Sequence, residues 1–183
     1  MSKSVLMPLA EGFEELEAIT ISDLLVRAGV NVVTAGLEEG PVKASRGTVL
    51  LPTCTLDEAL KQSYDLIVLP GGQPGADNLM ADDRILNLLQ QQYQQGKLVG
   101  AICAAPKVLV AAGIAADQTI TCYPGAVSHM DLTSVNVVDD RVITCNNMLT
   151  SRGPGTAMSF ALTLVETLQG QTVREKVEAA LVA

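Results

Sequence analysis

The sequence predicts one α/β domain over residues 1–183: a doubly wound, mostly parallel sheet in a three-layer α/β/α sandwich, with a small β-hairpin. Three observations carry this. Short apolar runs recur at residues 5–9, 65–69 and 98–102, each too short for a helix and each followed by a turn. Segments with helical periodicity alternate with them. The core must be aliphatic, because 48% of residues are hydrophobic, only 3% are aromatic and Trp is absent, which suits a parallel sheet covered on both faces.

Residues 5–9 form the first strand. Glu11-Gly12-Phe13 turns the chain into a helix over residues 14–28, with Leu16, Ile19, Leu24 and Leu25 at helical spacing, acids in the first turn and Gly29 as the stop. Residues 30–35 are the next strand, and strand-helix-strand predicts a right-handed crossover to a parallel pair. Residues 42–51 read as a hairpin turning at Gly47, and residues 56–61 as a short helix. Residues 65–69 run into Pro70-Gly71-Gly72, where two glycines let backbone approach another group closely. Residues 85–95 form an amphipathic helix with a Gln-rich outer face. Residues 98–102 are a buried strand; Pro106 then suits a first helical turn and Gly113 a helix stop. Residues 118–122 are a short strand ending at Tyr123-Pro124, and residues 135–138 and 142–145 read as a hairpin about Asp139-Asp140. Met148-Leu149-Thr150 leads through Ser151-Arg152-Gly153-Pro154-Gly155 into a helix over residues 156–168, and residues 173–181 form the last helix.

The net charge of −8 argues against nucleic acid or an anionic membrane as the main partner, since both attract basic patches. Cys54, Cys103, Cys122 and Cys145 are far apart with no C-x-x-C pair. They predict reduced thiols in a cytoplasm and no metal or disulfide framework. The opening apolar run is too short for a signal sequence, and Pro106 and Lys107 interrupt the most apolar region, so no membrane span is expected.

Residues 97–113, KLVGAICAAPKVLVAAG, place Cys103 where a strand meets a helix. Free backbone N–H groups and the positive end of a helix dipole lie beside such a position, which can lower a thiol's pKa and make it a nucleophile. A buried structural cysteine is the other reading. Candidate acids are Glu14, Glu15 and Glu17; dipole stabilisation alone suffices for Glu14 and Glu15, and periodicity does not aim Glu17 at Cys103. If Glu17 does touch the sulfur, it favours a thiolate only by holding a proton and donating it. The Gly71-Gly72 turn and Ala104 could offer N–H groups to an oxyanion, although a tight turn alone accounts for the glycines. No Lys-Ser/Thr follows, so this is not a phosphate loop. His129, the only histidine, reads as an exposed bystander, and Cys54, Cys122 and Cys145 as core or strand thiols.

AEGFEELEA (residues 10–18), PGG (70–72), AICAAP (101–106) and TSRGPGTA (150–157) together resemble the ThiJ/PfpI superfamily, in the branch of YajL and the Parkinsonism-associated protein deglycase. The resemblance runs from residue 5 to 181. It implies a flavodoxin-like sandwich that forms a homodimer. It implies a nucleophilic, oxidation-sensitive Cys103, a protonated Glu17 touching its sulfur, and N–H groups of Gly72 and Ala104 on an oxyanion or oxidised sulfur. Arg27 and Arg46 match positions near the dimer contact. The implied activity is that of a cysteine-dependent deglycase and glutathione-independent glyoxalase. Its substrates would be methylglyoxal, glyoxal and their early adducts, with no metal or organic cofactor, beside chaperone action and a response to peroxide.

Two departures bear on mechanism. The protease-like branch has a histidine directly after its cysteine; Ala104 stands here, which speaks against peptidase or amidotransferase chemistry. Near relatives often carry a histidine before a proline close to the cysteine; here Tyr123 precedes Pro124. Tyrosine donates a hydrogen bond but is no base near neutral pH, so proton shuttling rests on Glu17. The rival reading is a redox-sensing stress chaperone in which Cys103 is oxidised without turnover.

Overall fold

Strand β1 (Ser4–Leu9) is buried at every position after the first. A strand with one wet face would alternate, so β1 lies inside a sheet covered on both sides. In the computed structural model, which describes residues 2–182, that sheet has seven strands. Helix α1 (Glu15–Arg27) follows β1 and returns the chain to β2 (Asn31–Gly36), which pairs with β1 in parallel from Ser4↔Asn31 to Leu9↔Gly36. The small strands β3 (Val42–Lys43) and β4 (Val49–Leu50) form the hairpin expected about Gly47. β5 (Cys54–Thr55) adds an edge beside β2 and leads into α2 (Leu56–Ala59), whose start is a reciprocal Thr55–Glu58 capping box. Then come β6 (Leu66–Leu69), α3 (Gly75–Met80), α4 (Asp83–Gln94), β7 (Leu98–Ile102) and α5 (Pro106–Ala111), with Pro106 in its first turn.

The last part holds β8 (Thr119–Thr121), β9 (Asn136–Val138), β10 (Val142–Cys145), β11 (Met148–Ser151), a 3₁₀ turn (Pro154–Thr156), α6 (Ala157–Gln169) and α7 (Gln171–Ala180). The strand order is β10-β11-β7-β6-β1-β2-β5, parallel throughout except for β10. One apolar cluster lies under α1, α6 and α7, with Phe13, Leu24, Leu25, Phe160 and Val165 at its centre. The other lies under α2 to α5 and includes Leu6, Ile67, Leu69, Leu89 and Leu109. The architecture is therefore the mostly parallel sheet between helical layers that the sequence predicts.

Three details differ from the sequence reading. Residues 135–138 and 142–145 are strands but not a hairpin: β9 pairs in parallel with β8 in a separate small sheet, while β10 turns at Asn146 to pair with β11. Asp139 instead carries an ion pair to Arg152, at 2.6 Å. β11 itself, a short run of mixed polarity, lies between β10 and β7 as a fully buried strand. α3 is the third difference. Its Gly-Ala-Asp-Asn start has weak helix propensity, and the turn after β6 holds it, with the Ala76 N–H donating to Gly72 O at 2.9 Å.

Candidate active site

Because β1, β6, β7 and β11 are parallel, their carboxyl ends share one edge of the sheet, and the segments that leave them meet there. β7 ends at Ile102, and Cys103 follows with φ +64°, a left-handed conformation that is uncommon outside glycine. Such an elbow throws the side chain off the strand end. Backbone bonds on both sides hold it: the Cys103 N–H donates to Ser151 O at 2.9 Å, and the Tyr123 N–H donates to Cys103 O at 2.7 Å. Cys103 is recessed at this edge, with the residue 7% exposed.

Glu17 comes to this point from the first turn of α1 and is wholly buried, at 0% exposure. Its aim, which periodicity could not supply, is fixed by two neighbours. The Glu14 carboxylate caps the helix by accepting the Glu17 N–H at 2.9 Å, and the Glu14 N–H donates to Gly71 O at 2.9 Å. The Gly71 N–H then donates to Glu17 Oε2 at 2.8 Å. Oε1 is buried with no hydrogen-bond partner, and the Cys103 thiol is the polar side chain beside the carboxyl. Gly71 leaves no space between them: a Cβ there would lie 2.7 Å from Cys103 Cβ and 2.9 Å from both Ala104 N and Glu17 Oε2. Gly72 has φ +93° and is wedged equally tightly against Gly12 and Glu14.

Burial raises the Glu17 carboxyl to about 7, against the Gly71 N–H, and the Glu14 carboxylate adds to the rise. A place at a helix start does not by itself lower the thiol, although the sequence position alone suggests that it does. With Glu17 ionised, burial, the carboxylate charge and the hydrogen bond to it push the thiol up to about 12, against the N–H groups of Gly72 and Ala104; a protonated Glu17 removes that charge and donates to the sulfur instead. α5 has six residues and no side-chain cap, so its dipole has little to set against these effects. The Gly72 and Ala104 N–H groups do face the sulfur, as does the acid at Glu17; the Gly71 N–H serves the acid instead.

Other sequence candidates fall elsewhere. Tyr123 is tied to Cys103 by its backbone, while its ring is 53% exposed and lies over Gly153. Arg27 is held by Asp23 at 2.8 Å on exposed α1, and the Arg46 N–H donates to Glu15 Oε2. Glu15 does more than face a helix dipole: its carboxylate also accepts from Ser45 Oγ and the Thr48 N–H, docking the β3–β4 hairpin on α1. His129 is exposed and has no hydrogen bond to Cys103. Among the described residues no cluster of His, Cys, Asp and Glu is placed to hold a metal ion, and no helix is long and apolar enough to cross a membrane. The groove between α2 and α4, about 400 Å3 and lined by Leu60, Tyr64, Arg84 and Gln91 among others, has no cysteine, histidine or carboxylate in its lining.

A model of the DJ-1/PfpI family matches residues 3–167. The chain belongs to the DJ-1/PfpI family. Among its relatives, glutathione-independent glyoxalase DJR-1.2 of Caenorhabditis elegans is 41% identical, over 92% of this chain and 89% of the relative. The crystal structure of Drosophila melanogaster DJ-1beta superposes with a TM-score of 0.95 at 40% identity, covering 100% of this chain and 99% of that one. A structure described as Toxoplasma gondii DJ-1, oxidized, superposes with a TM-score of 0.93 at 34% identity, covering 99% and 98%. Cys103 and Glu17 in this DJ-1/PfpI chain thus sit on a fold shared along its whole length.

Proposed function

We propose that this DJ-1/PfpI protein is a glutathione-independent glyoxalase and deglycase whose nucleophile is the Cys103 thiolate. The observation that carries the reading is a sulfur on a strained elbow, faced by two backbone N–H groups and by a buried carboxyl raised to about 7. The pair holds one proton near neutral pH, and hydrogen bonding decides its place. With the proton on Glu17, the sulfur anion accepts from Gly72 N–H, Ala104 N–H and the Glu17 O–H; with it on sulfur, the carboxylate keeps the Gly71 N–H and a weak S–H donor. We assign the proton to Glu17.

The chemistry follows from that assignment. The thiolate attacks the aldehyde carbon of methylglyoxal, forming a C–S bond, and the Glu17 proton passes to the new alkoxide. Glu17, now a carboxylate, takes the hydrogen from that carbon as a proton and returns it to the neighbouring carbonyl carbon, while the hydroxyl proton of the first carbon passes to the oxygen of the second. One carbon is oxidised and the other reduced, and no electrons leave the substrate. The resulting thioester of lactate is hydrolysed by water, which frees the sulfur. The Gly72 and Ala104 N–H groups stabilise the oxyanions of attack and hydrolysis. An adduct of methylglyoxal with an amine or thiol enters at the same carbon once its C–N or C–S bond breaks, which releases the free amine or thiol with the hydroxyl proton and restores the aldehyde that the thiolate attacks. The name of the nematode relative supports the assignment. The purified protein is expected to convert methylglyoxal to lactate without glutathione or added metal; no lactate at millimolar substrate would refute it.

A second reading, a redox sensor, is favoured by the same N–H groups and acid, which would also hold a sulfinate; the oxidized parasite relative is in keeping with it. Mild peroxide followed by mass analysis separates the two, because sensing requires sulfinate at Cys103 well before any change at Cys54, Cys122 or Cys145. For assembly, we propose a homodimer through α1 and the hairpin, where Leu16, Ile19, Val49 and Leu51 are about half-exposed or more. A sedimentation mass of one chain would remove that proposal.

A further inference from the structure

A second charged cluster lies one helical turn beyond Cys103. Lys107, in the first turn of α5, has a side chain only 4% exposed, and its Nζ donates to Asp77 Oδ1 on α3 at 2.7 Å. With the Gln73 amide turned so that its oxygen faces the ammonium, Lys107 Nζ also donates to Gln73 Oε1 at 2.6 Å, and the Gln73 NH₂ group faces Asp77. Burying an ammonium costs several kcal/mol, and a lone carboxylate partner that is itself about half-exposed offsets little of it. An apolar side chain would pack at this place at less cost. The position of the cluster suggests what it does. Gln73 is the peptide neighbour of Gly72, and Lys107 shares its helical turn with Ala104, the Lys107 N–H donating to Ala104 O at 3.4 Å. The side chain therefore joins the two segments that supply the N–H groups facing the Cys103 sulfur.

We infer that Lys107 is a positioning residue: through Asp77 and Gln73 it clamps the Gly72 and Ala104 N–H groups in register on the Cys103 sulfur. The inference rests on Cys103 working as a thiolate, but not on the identity of the substrate. Its test reads the sulfur directly. The rate of Cys103 alkylation by iodoacetamide is followed against pH by peptide mass in the full chain, for wild type, Lys107→Met and Asp77→Asn, with Cys54 and Cys145 as internal references. If the clamp holds the N–H groups, both variants lose donors from the anion. The apparent thiol pKa rises by about one unit, and alkylation near neutral pH slows about tenfold, while Cys54 and Cys145 are unaffected. A charge effect without a clamp predicts opposite signs, Lys107→Met slower and Asp77→Asn faster, and overturns the inference. So does an unchanged profile in both, which would mean that the wedge of Gly72 against Gly12 and Glu14 is sufficient. Should Lys107→Met not fold, Asp77→Asn at its half-exposed site decides alone: slower supports the clamp, equal or faster overturns it. Failure of the glyoxalase reading looks different, as absent turnover with a normal alkylation profile in wild type.

Discussion

Cys103→Ser is expected to reduce methylglyoxal conversion to the rate of the buffer, a loss of about 10⁴-fold or more if the sulfur is the nucleophile. A serine hydroxyl would occupy the same elbow, held by Ser151 O and the Tyr123 N–H. It would not ionise near neutral pH, and no histidine adjoins it to take its proton, because Ala104 follows and His129 makes no bond there. Lactate measured on purified variant, matched to wild type for folding, checks this. Activity within tenfold of wild type would mean that the carbonyl is attacked by something other than Cys103.

Glu17→Gln has a second large expected effect, on stability. The folded Glu17–Cys103 pair gives up its first proton at about 7, whereas Glu17 in the unfolded chain releases its own at an ordinary 4.5, so between those values the folded protein holds a proton that the unfolded chain has released. Stability is therefore full below about pH 4.5 and falls as pH rises to about 7, by on the order of 3 kcal/mol. Glutamine does not titrate and keeps the Gly71 N–H bond through its oxygen. Its stability should be flat across that window, so the variant should gain on wild type from about pH 5 to pH 7 while losing turnover. Urea midpoints at the two pH values read the difference. Equal pH dependence in the two proteins would place the Glu17 carboxyl at an ordinary value.

The parallel core of the fold is legible in the chain because its central strands are continuous apolar runs: residues 5–9, 65–69 and 98–102 each appear in the sheet within a residue or two. Pairing between distant segments is not legible in spacing. Residues 135–138 and 142–145 bracket a turn and look like partners, yet each finds a different strand. β11 was hidden because Met-Leu-Thr-Ser is short and half polar, its Thr150 and Ser151 being buried for the hydroxyl bonds they make to Thr121, Arg141 and Thr156. At the site, strand-end geometry points to Cys103, Ala104 and Gly72. The aim of Glu17 depends on a cap from Glu14 and an N–H from Gly71, 54 residues away in sequence. Lys107, which in the sequence only interrupts an apolar stretch, gains a role once α3 brings Asp77 and Gln73 against it.

The central claim is that one proton near neutral pH resides on Glu17 and leaves the sulfur ionised. Thiolate absorbance in the ultraviolet tests it most directly, taken as the difference between wild type and Cys103→Ser from about pH 5 to pH 10. Subtraction removes Cys54, Cys122 and Cys145. The account predicts a full equivalent of thiolate developing through about pH 7 and complete by about pH 8. If the difference stays near zero until about pH 10 or above, the carboxylate ionises first, the thiol keeps its proton, and the assignment of Cys103 as the working nucleophile is contradicted.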